Sequence, residues 1–427
     1  MPFPNTVTNV DIVNHGLPGP WLAPNGARYL VLDAGGGDID IWKSTDLGVT
    51  WAVVDVANSP LQTITASVLN GSRIYAIGND TFTAVDNLRV SVFNTATDLW
   101  ESSTLNPNAN SGDTGRFLSV VFRSSDSQLV IAGTPLSLKV GGLLRTGYLL
   151  FDTGALTFSA WVRTGETGAS TLTWECDAIL QGVGEVDFLF FSYVAPSNTG
   201  IRAIWRQPLS DAGALGAKVQ IGTITDGGAS NVTPYGFSDG VNAVVVWVPT
   251  NLAPLAMAVW SGPVSTWALV SQSLNAPNTE TEIDDVAAIQ SPTAGLVVFF
   301  ATTAPGFAGN FWISTDVGGG LSVPSLLGTI PFWNSGTDSL WANALGGVAP
   351  PWGIVIWNVS DATYYWETSA TPPPPPPVLT FTPLQFTIFA FPYGPDCCSP
   401  CGLDVACVMP SGNGNVYVPA KGPLKRI

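Results

Sequence analysis

Charged side chains are scarce in this sequence. Asp, Glu, Lys and Arg make up 11% of its 427 residues, and 31 acidic against 15 basic residues give a formal net charge of −16. Nucleic-acid binding needs clustered Lys and Arg on the phosphates, so no sequence-specific nucleic-acid partner is expected. The single histidine, His15, lies in an Asn-His-Gly turn, and a catalytic triad would have to rest on that one loop residue.

Long hydrophobic runs are missing as well. No stretch approaches the 18 apolar residues of a membrane span, so none is expected. The first residues lack a basic segment followed by an apolar one, and a secretory signal is not expected either. Hydrophobic residues still make up 46% of the chain, with 16 Trp and 20 Phe, which is enough apolar surface for a folded core.

An aromatic residue that ends a short apolar run recurs along the chain. Its spacings are 51, 58, 54, 55, 52 and 54 residues, and we call these residues the blade anchors: Trp42, Phe93, Phe151, Trp205, Trp260, Trp312 and Trp366. A turn signal and a second apolar run precede each anchor, as at Asn25-Gly26 and Asn70-Gly71. Each unit therefore predicts an antiparallel meander of four strands, and the repeat predicts an all-β, seven-bladed β-propeller.

The repeats also predict the domain organisation. The propeller is expected over residues 1–371, with a strand within residues 5–14 closing the ring as the outer strand of the last blade; an independent N-terminal arm is the alternative. Six prolines at 372–377 favour an extended polyproline spacer. Residues 378–427 are expected to form a small, separate β module.

Residues Ser44-Thr45-Asp46-Leu47-Gly48-Val49-Thr50-Trp51 match the Asp-box, Ser/Thr-x-Asp-x-Gly-x-x-Trp. The run resembles that of sialidase-like propellers with BNR repeats. A second copy keeps Ser314, Asp316 and Gly318 but has Leu321 in place of the Trp. The turns after Phe93 and Phe151 are more similar to kelch repeats. The resemblance implies a structural role, because Asp-boxes of this family lie on turns remote from the active site. The family's catalytic arginines map onto no motif here.

Acidic residues cluster where two innermost strands are expected to start: Glu175, Asp177, Glu282, Asp284 and Asp285. A glycosidase needs two carboxylates, one as acid and one as nucleophile or base. Exposed carboxylates at the mouth of a propeller channel are equally expected from solvation alone. Gly35-Gly36-Gly37 predicts a hairpin rather than a calcium loop, because the spaced oxygen ligands of such a loop are missing.

Four cysteines, Cys397, Cys398, Cys401 and Cys407, lie close together near the C-terminus. Such a group can form two disulfides, bind zinc or remain as free thiols. No other cofactor is expected. Cys176 lies on an expected inner strand, which favours a buried thiol.

These features favour a non-enzymatic structural or adhesive propeller of a larger particle. A phage virion component, in the tail or attached to the capsid, is the leading interpretation, with residues 378–427 contacting other virion proteins and a location in an extracellular particle. A glycan-binding or glycan-hydrolysing, sialidase-like propeller is the first alternative, with cell-surface glycan as its partner. A kelch-like intracellular scaffold is the second.

Overall fold

The structure of the chain is a computed structural model. It describes residues 5–8, 19–33, 38–54, 59–79, 88–107, 118–133, 135, 138, 145–164, 173–181, 185–193, 201–225, 235–238, 242–250, 256–263, 270–277, 282–291, 295–304, 308–316, 320–330, 339–344, 352–358, 362–367, 417–418 and 425–426. The chain divides into two compact units, Met1–Thr371 and Pro372–Ile427. No helix in the described ranges is long and apolar enough to cross a membrane.

The first unit is a succession of antiparallel β-meanders. It opens with β1 (Asn5–Thr8). Sheet 1 contains β2 (Trp21–Leu22), β3 (Arg28–Asp33), β4 (Ile39–Ser44) and β5 (Ala52–Val53). Sheet 2 contains β6 (Thr63–Asn70), β7 (Arg73–Asn79), β8 (Leu88–Asn94) and β9 (Leu99–Leu105). Sheet 3 contains β10 (Ser119–Arg123), β11 (Gln128–Gly133), β12 (Gly147–Asp152), and two short pieces that both pair with β12, β13 (Thr157–Phe158) and β14 (Val162–Arg163).

The second half of this unit repeats the pattern. Sheet 4 contains β15 (Thr173–Gln181), β16 (Glu185–Tyr193), β17 (Ile201–Leu209) and β18 (Val219–Thr225). Sheet 5 contains β19 (Tyr235–Ser238), β20 (Asn242–Thr250), β21 (Ala256–Pro263) and β22 (Val270–Asn275). Sheet 6 contains β23 (Glu282–Ser291), β24 (Gly295–Ala304), β25 (Ala308–Thr315) and β26 (Ser325–Ile330). Sheet 7 contains β27 (Ser339–Ala344), β28 (Trp352–Asn358), β29 (Ala362–Glu367) and, as its fourth strand, β1.

The N-terminal strand thus completes the last sheet. Asn5 pairs with Tyr365 and Thr6 with Tyr364 in antiparallel register. Residues 9–14 of the segment predicted to close the ring lie outside the described residues. In the second unit, β30 (Tyr417–Val418) and β31 (Lys425–Arg426) form a two-stranded sheet.

Every blade anchor lies on the third strand of its sheet, at one register. The residues opposite the anchors on the second strands are, in chain order, Leu30, Ile74, Leu129, Phe190, Val245, Phe300 and Ile354. Phe93 and Phe151 are fully buried. Each packs on the preceding sheet, because Phe93 belongs to the apolar cluster of sheets 1 and 2 and Phe151 to that of sheets 2 and 3.

Successive sheets share apolar cores all the way round. Sheets 3 and 4 meet through a cluster that includes Val130 and Phe188, and sheets 5, 6 and 7 meet through two further clusters. Gly222 of sheet 4 lies against the ring of Trp247 in sheet 5. Leu30 and Leu32 of sheet 1 pack with residues of sheet 7. The all-β unit therefore has the β-propeller fold, in which each sheet covers an apolar face of its neighbour.

Candidate functional site

The meander sorts the connections between strands onto two ends of each sheet. Connections from first to second strand and from third to fourth strand share one end, which we call the turn end. Several of them are tight, such as residues 71–72, 95–98 and 153–156. The connections at the opposite end lie mostly outside the described residues, among them Gly35-Gly36-Gly37 and Arg116. The described site geometry therefore belongs mainly to the turn end.

The Asp-box of sheet 1 is a closed hydrogen-bond network. Asp46 Oδ1 accepts from Ser44 Oγ at 2.8 Å and from the Thr50 amide at 2.9 Å, and its Oδ2 accepts from Thr50 Oγ1 at 2.6 Å. Ser44 Oγ accepts from the Gly48 amide at 2.8 Å, and Trp51 Nε1 donates to the Gly48 carbonyl at 3.1 Å. Desolvation would raise the pKa of Asp46, but the bonds from Thr50 and Ser44 outweigh it and lower the pKa from its usual 3.8.

This network lies at the junction of sheets 7 and 1. Gly48 has φ +81°, and a Cβ placed on it would lie 2.0 Å from Cε1 of Tyr365 in sheet 7. The Trp51 ring meets the Tyr365 ring edge to face, with centroids 4.9 Å apart. The Asp and Gly of the motif thus shape a turn that brings the Trp onto the last sheet, which is a packing role.

The second Asp-box is organised differently. Ser314 Oγ donates to the Ser322 carbonyl at 2.6 Å, and Asp316 forms an isolated bridge with Leu321. Gly318 lies outside the described residues. In the kelch-like turns, the residue two after the anchor is a threonine. Thr95 and Thr153 donate from amide and hydroxyl to the carbonyls of Ser72 and Ser127 respectively.

The junction of sheets 1 and 2 is closed by a polar cluster. Asp98 has φ +55° and lies five residues after the Phe93 anchor. It accepts from Lys43 Nζ at 2.6 Å and from the Tyr29 hydroxyl at 2.8 Å. Burial would lower the pKa of Lys43, but Asp98 and Tyr29 raise it above its usual 10.5. Burial, foremost, raises the pKa of the Tyr29 hydroxyl. An ion pair therefore spans this junction.

The next junction is open at the same place. The residues of sheets 2 and 3 equivalent by register to Tyr29, Lys43 and Asp98 are Arg73, Asn94 and Leu156. Leu156 shares the positive φ of Asp98, at +55°, but has no carboxylate to span the junction. A groove of about 590 Å³ opens there, which lies within the usual range for ligand pockets. We call it the 2–3 groove, and its lining residues are Arg73, Tyr75, Val92, Glu101, Ser102, Thr153, Gly154 and Leu156.

A paired guanidinium and carboxylate form one wall of the 2–3 groove. Arg73 Nε donates to Glu101 Oε2 at 2.7 Å, and Asn94 Nδ2 donates to Glu101 Oε1 at 2.6 Å. The side chains of Arg73 and Glu101 are 53% and 31% exposed. The bond from Asn94, followed by the opposing effect of burial and the pairing with Arg73, lowers the pKa of Glu101 from 4.5. The bond from Glu101 raises the pKa of Arg73.

The floor of the groove is apolar and rigid. Tyr75 and Val92 are buried, and the Tyr75 ring stacks on Phe122 of sheet 3 with centroids 6.3 Å apart. Leu156 is 36% exposed and forms the opposite rim. The groove therefore offers an apolar surface beside a fixed set of donors and acceptors, which is the usual composition of a small-ligand site.

The predicted acidic residues are at the start of innermost strands. Glu175 and Asp177 lie on β15 and Glu282, Asp284 and Asp285 on β23, and the pairing of both strands shifts register there. Asp284 is 6% exposed, and its Oδ2 accepts from Thr303 Oγ1. Such bulges re-aim side chains at a sheet end.

Asp285 joins two sheets. Its Oδ1 accepts from the Val286 amide at 2.8 Å, and its Oδ2 accepts from the amide of Leu340, on β27 of sheet 7, at 2.7 Å. Desolvation, opposed by these two bonds, raises the pKa of Asp285 to about 7. Both oxygens are thus used to connect innermost strands, whatever chemistry the carboxyl could perform.

The remaining predicted residues do not form a site in the described ranges. Cys176 lies on β15 opposite Phe190. His15 and the four cysteines Cys397, Cys398, Cys401 and Cys407 lie outside the described residues. Within the described part of the chain, no group of three His, Cys, Asp or Glu side chains is placed to hold a metal ion.

Sequence reasoning missed the 2–3 groove, including Arg73, Glu101 and Leu156. A signal for it exists in the repeat. When the units are aligned on Phe93 and Phe151, an aspartate in one turn corresponds to a leucine in the next. The sequence does not show, however, that this turn faces the preceding sheet.

Comparison with known proteins supports the fold class. No protein-family model matches the chain, and no curated protein matches its sequence. Among solved structures, the chain is similar to a polysaccharide lyase of family PL25, an ulvan lyase bound to -[GlcA(1-4)Rha3S]-, at 12% identity over 85% of this chain and 94% of that one, with a TM-score of 0.52. It is also similar to the BP39L lectin from Burkholderia pseudomallei, at 14% identity over 84% of this chain and 96% of that one, with a TM-score of 0.52. At these identities the similarity shows a shared β-propeller fold.

Proposed function

We propose that this chain is a carbohydrate-binding β-propeller in which sheets 1 to 7 are the seven blades of one closed ring and the 2–3 groove holds a saccharide. The observation that carries the proposal is the groove itself. It places the Arg73 and Glu101 side chains, fixed by a 2.7 Å hydrogen bond, beside the apolar surface of Tyr75 and Leu156. Sugars present hydroxyl groups on an apolar carbon skeleton and match both parts.

Binding rather than cleavage fits the groove. Glycoside hydrolysis needs two carboxyl groups flanking the bond to be broken. Glu101 is the only carboxylate among the described residues that line the 2–3 groove, and it is already engaged by Arg73 and Asn94. The glycan-active proteins with a similar fold include both a lectin and a lyase, and this groove favours comparison with the lectin.

Within this proposal the predicted particle role becomes an adhesive one. Residues 378–427 attach the propeller to other proteins of a larger extracellular particle, and the proline spacer at 372–377 holds it away from the attachment point. The support for this part is the sequence alone: the proline run and the cysteines that follow it, which can be disulfide-bonded, zinc-bound or free.

The test is glycan binding by the full chain, measured on a panel of immobilised saccharides and then by calorimetry. Leu156→Asp places a carboxylate where Asp98 closes the preceding junction, and it should weaken binding at least tenfold by competing for Arg73. Val219→Asp, on an equally exposed apolar residue of sheet 4, is the matched control and should bind as the parent does. A chain that binds no saccharide overturns the proposal, and equal binding by Leu156→Asp overturns the assignment to this groove.

A further inference from the structure

We infer that the 2–3 groove selects uncharged saccharides and rejects anionic ones such as uronates, sialosides and sulfated sugars. This inference rests on the proposed function, and it concerns the class of ligand. The anionic alternative is a real one, because the sialidase-like resemblance of the Asp-boxes would imply an acidic sugar. The charges of the groove distinguish the two classes.

The cation of the groove is already neutralised. Arg73 is the only Lys or Arg among the described residues that line the groove. Its charge is balanced by Glu101, since Nε donates to Glu101 Oε2 at 2.7 Å. An incoming carboxylate or sulfate would have to displace Glu101 or lie beside it. Like charges at short range disfavour one another, so an anionic ligand meets repulsion where it needs attraction.

Glu101 is held in place by its own sheet. Asn94 follows the Phe93 anchor directly, and its Nδ2 donates to Glu101 Oε1 at 2.6 Å. The carboxylate is thus fixed through both oxygens on the strands of a single sheet, and it does not depend on a ligand for its position. Because a carboxylate has about four lone-pair sites, it can still accept bonds from sugar hydroxyls.

The two neighbouring junctions neutralise their cations differently. At the junction of sheets 1 and 2, the cation Lys43 is neutralised across the junction by Asp98, and that space is closed. At the junction of sheets 2 and 3, the cation is neutralised from its own sheet instead, so the space stays open while the charge is still balanced. The net charge of −16 adds a long-range repulsion of anions to this local balance.

The experiment compares the parent chain with Glu101→Gln, which keeps the shape of the side chain and its bond to Arg73 but removes the negative charge. Each protein is titrated with a neutral oligosaccharide taken from the panel, and with matched uronate-containing, sialylated and sulfated oligosaccharides, at low and at high salt. Glu101 lies on the exposed strand β9, so the substitution is not expected to disturb folding; circular dichroism and the unfolding midpoint check this.

The parent chain should bind the neutral sugar and bind the anionic sugars at least tenfold more weakly. Glu101→Gln should gain at least tenfold in affinity for the anionic sugars, and this gain should fall with salt as ion pairs do. Asp38→Asn, on an exposed residue of another sheet, changes the net charge equally and should show no gain.

The outcomes separate the two proposals. No binding of any saccharide by the parent chain overturns the proposed function. Preferential binding of anionic sugars by the parent chain leaves the proposed function standing and overturns this inference. A gain by Asp38→Asn equal to that of Glu101→Gln also overturns it, because the effect would then come from overall charge and not from the groove.

Discussion

The Tyr365 ring lies edge-on to the Trp51 ring, with centroids 4.9 Å apart, where the last sheet meets the first. Tyr365 is fully buried and also pairs through its backbone with Asn5. The same residue thus contacts the N-terminal strand that completes sheet 7 and the Asp-box turn of sheet 1. Closure of the propeller therefore depends on a local turn motif placed at the seam.

Gly48→Ala is expected to destabilise the propeller by about 3 kcal/mol. The new methyl group would lie 2.0 Å from Tyr365, and alanine at φ +81° adds backbone strain. Urea unfolding followed by tryptophan fluorescence measures the effect.

Gly71→Ala is the matched control. It has a positive φ, +57°, but nothing lies within 4 Å of the position that a Cβ would take there, so only the backbone cost of about 1 kcal/mol should appear. Equal losses in the two variants would show that contact with Tyr365 is not what restricts position 48.

Asp285 is expected to make stability depend on pH. Its pKa is raised from the usual 3.8 to about 7 in the folded chain, so the folded state holds a proton that the unfolded state has lost between these values. The stabilisation from this group is fully present below pH 3.8 and is lost as the pH rises through about 7. The expected loss is on the order of 2 kcal/mol, and urea midpoints at half-unit intervals from about pH 4.5 to 8 measure it.

Asp285→Asn should flatten this pH dependence, since an amide does not titrate. It should also lower stability at about pH 5, because one amide oxygen cannot accept from both Val286 and Leu340. Asp38→Asn removes an exposed carboxylate and should leave the profile unchanged. A parent profile that is flat across this pH range would refute the raised pKa.

Leu156→Asn is expected to stabilise the chain by about 0.5 to 1 kcal/mol. Leu156 has φ +55°, a conformation that asparagine tolerates better than leucine, and its side chain is 36% exposed, so little burial is lost. Thermal unfolding by calorimetry measures the shift. If the variant melts below the parent chain, then contacts of Leu156 outweigh its backbone strain.

The periodic aromatic residues predict the architecture well because one physical requirement recurs in every unit. Each sheet needs a large apolar side chain on its third strand to cover the preceding sheet, as Phe93 and Phe151 do. Local turn signals also carry over directly, because Asn25-Gly26 and Asn70-Gly71 fix backbone conformations by themselves. The all-β propeller was therefore readable from the order of the residues.

The 2–3 groove was not readable in this way. Arg73 and Glu101 are 28 residues apart, and their hydrogen bond depends on the register of β7, β8 and β9. Leu156 reaches the groove only because its turn faces the preceding sheet. Pairing between distant residues follows from strand register and sheet packing, neither of which a local pattern encodes.

The sequence by itself determined the repeat, the strands and the tight turns, because hydrophobic alternation and turn chemistry act over a few neighbouring residues. Only the tertiary structure decided which junction between sheets is bridged and which is open. At one junction Asp98 meets Lys43, and at the next Leu156 leaves Arg73 to Glu101. That difference arises from side chains on separate sheets meeting in space, and it is what gives this propeller a candidate binding site.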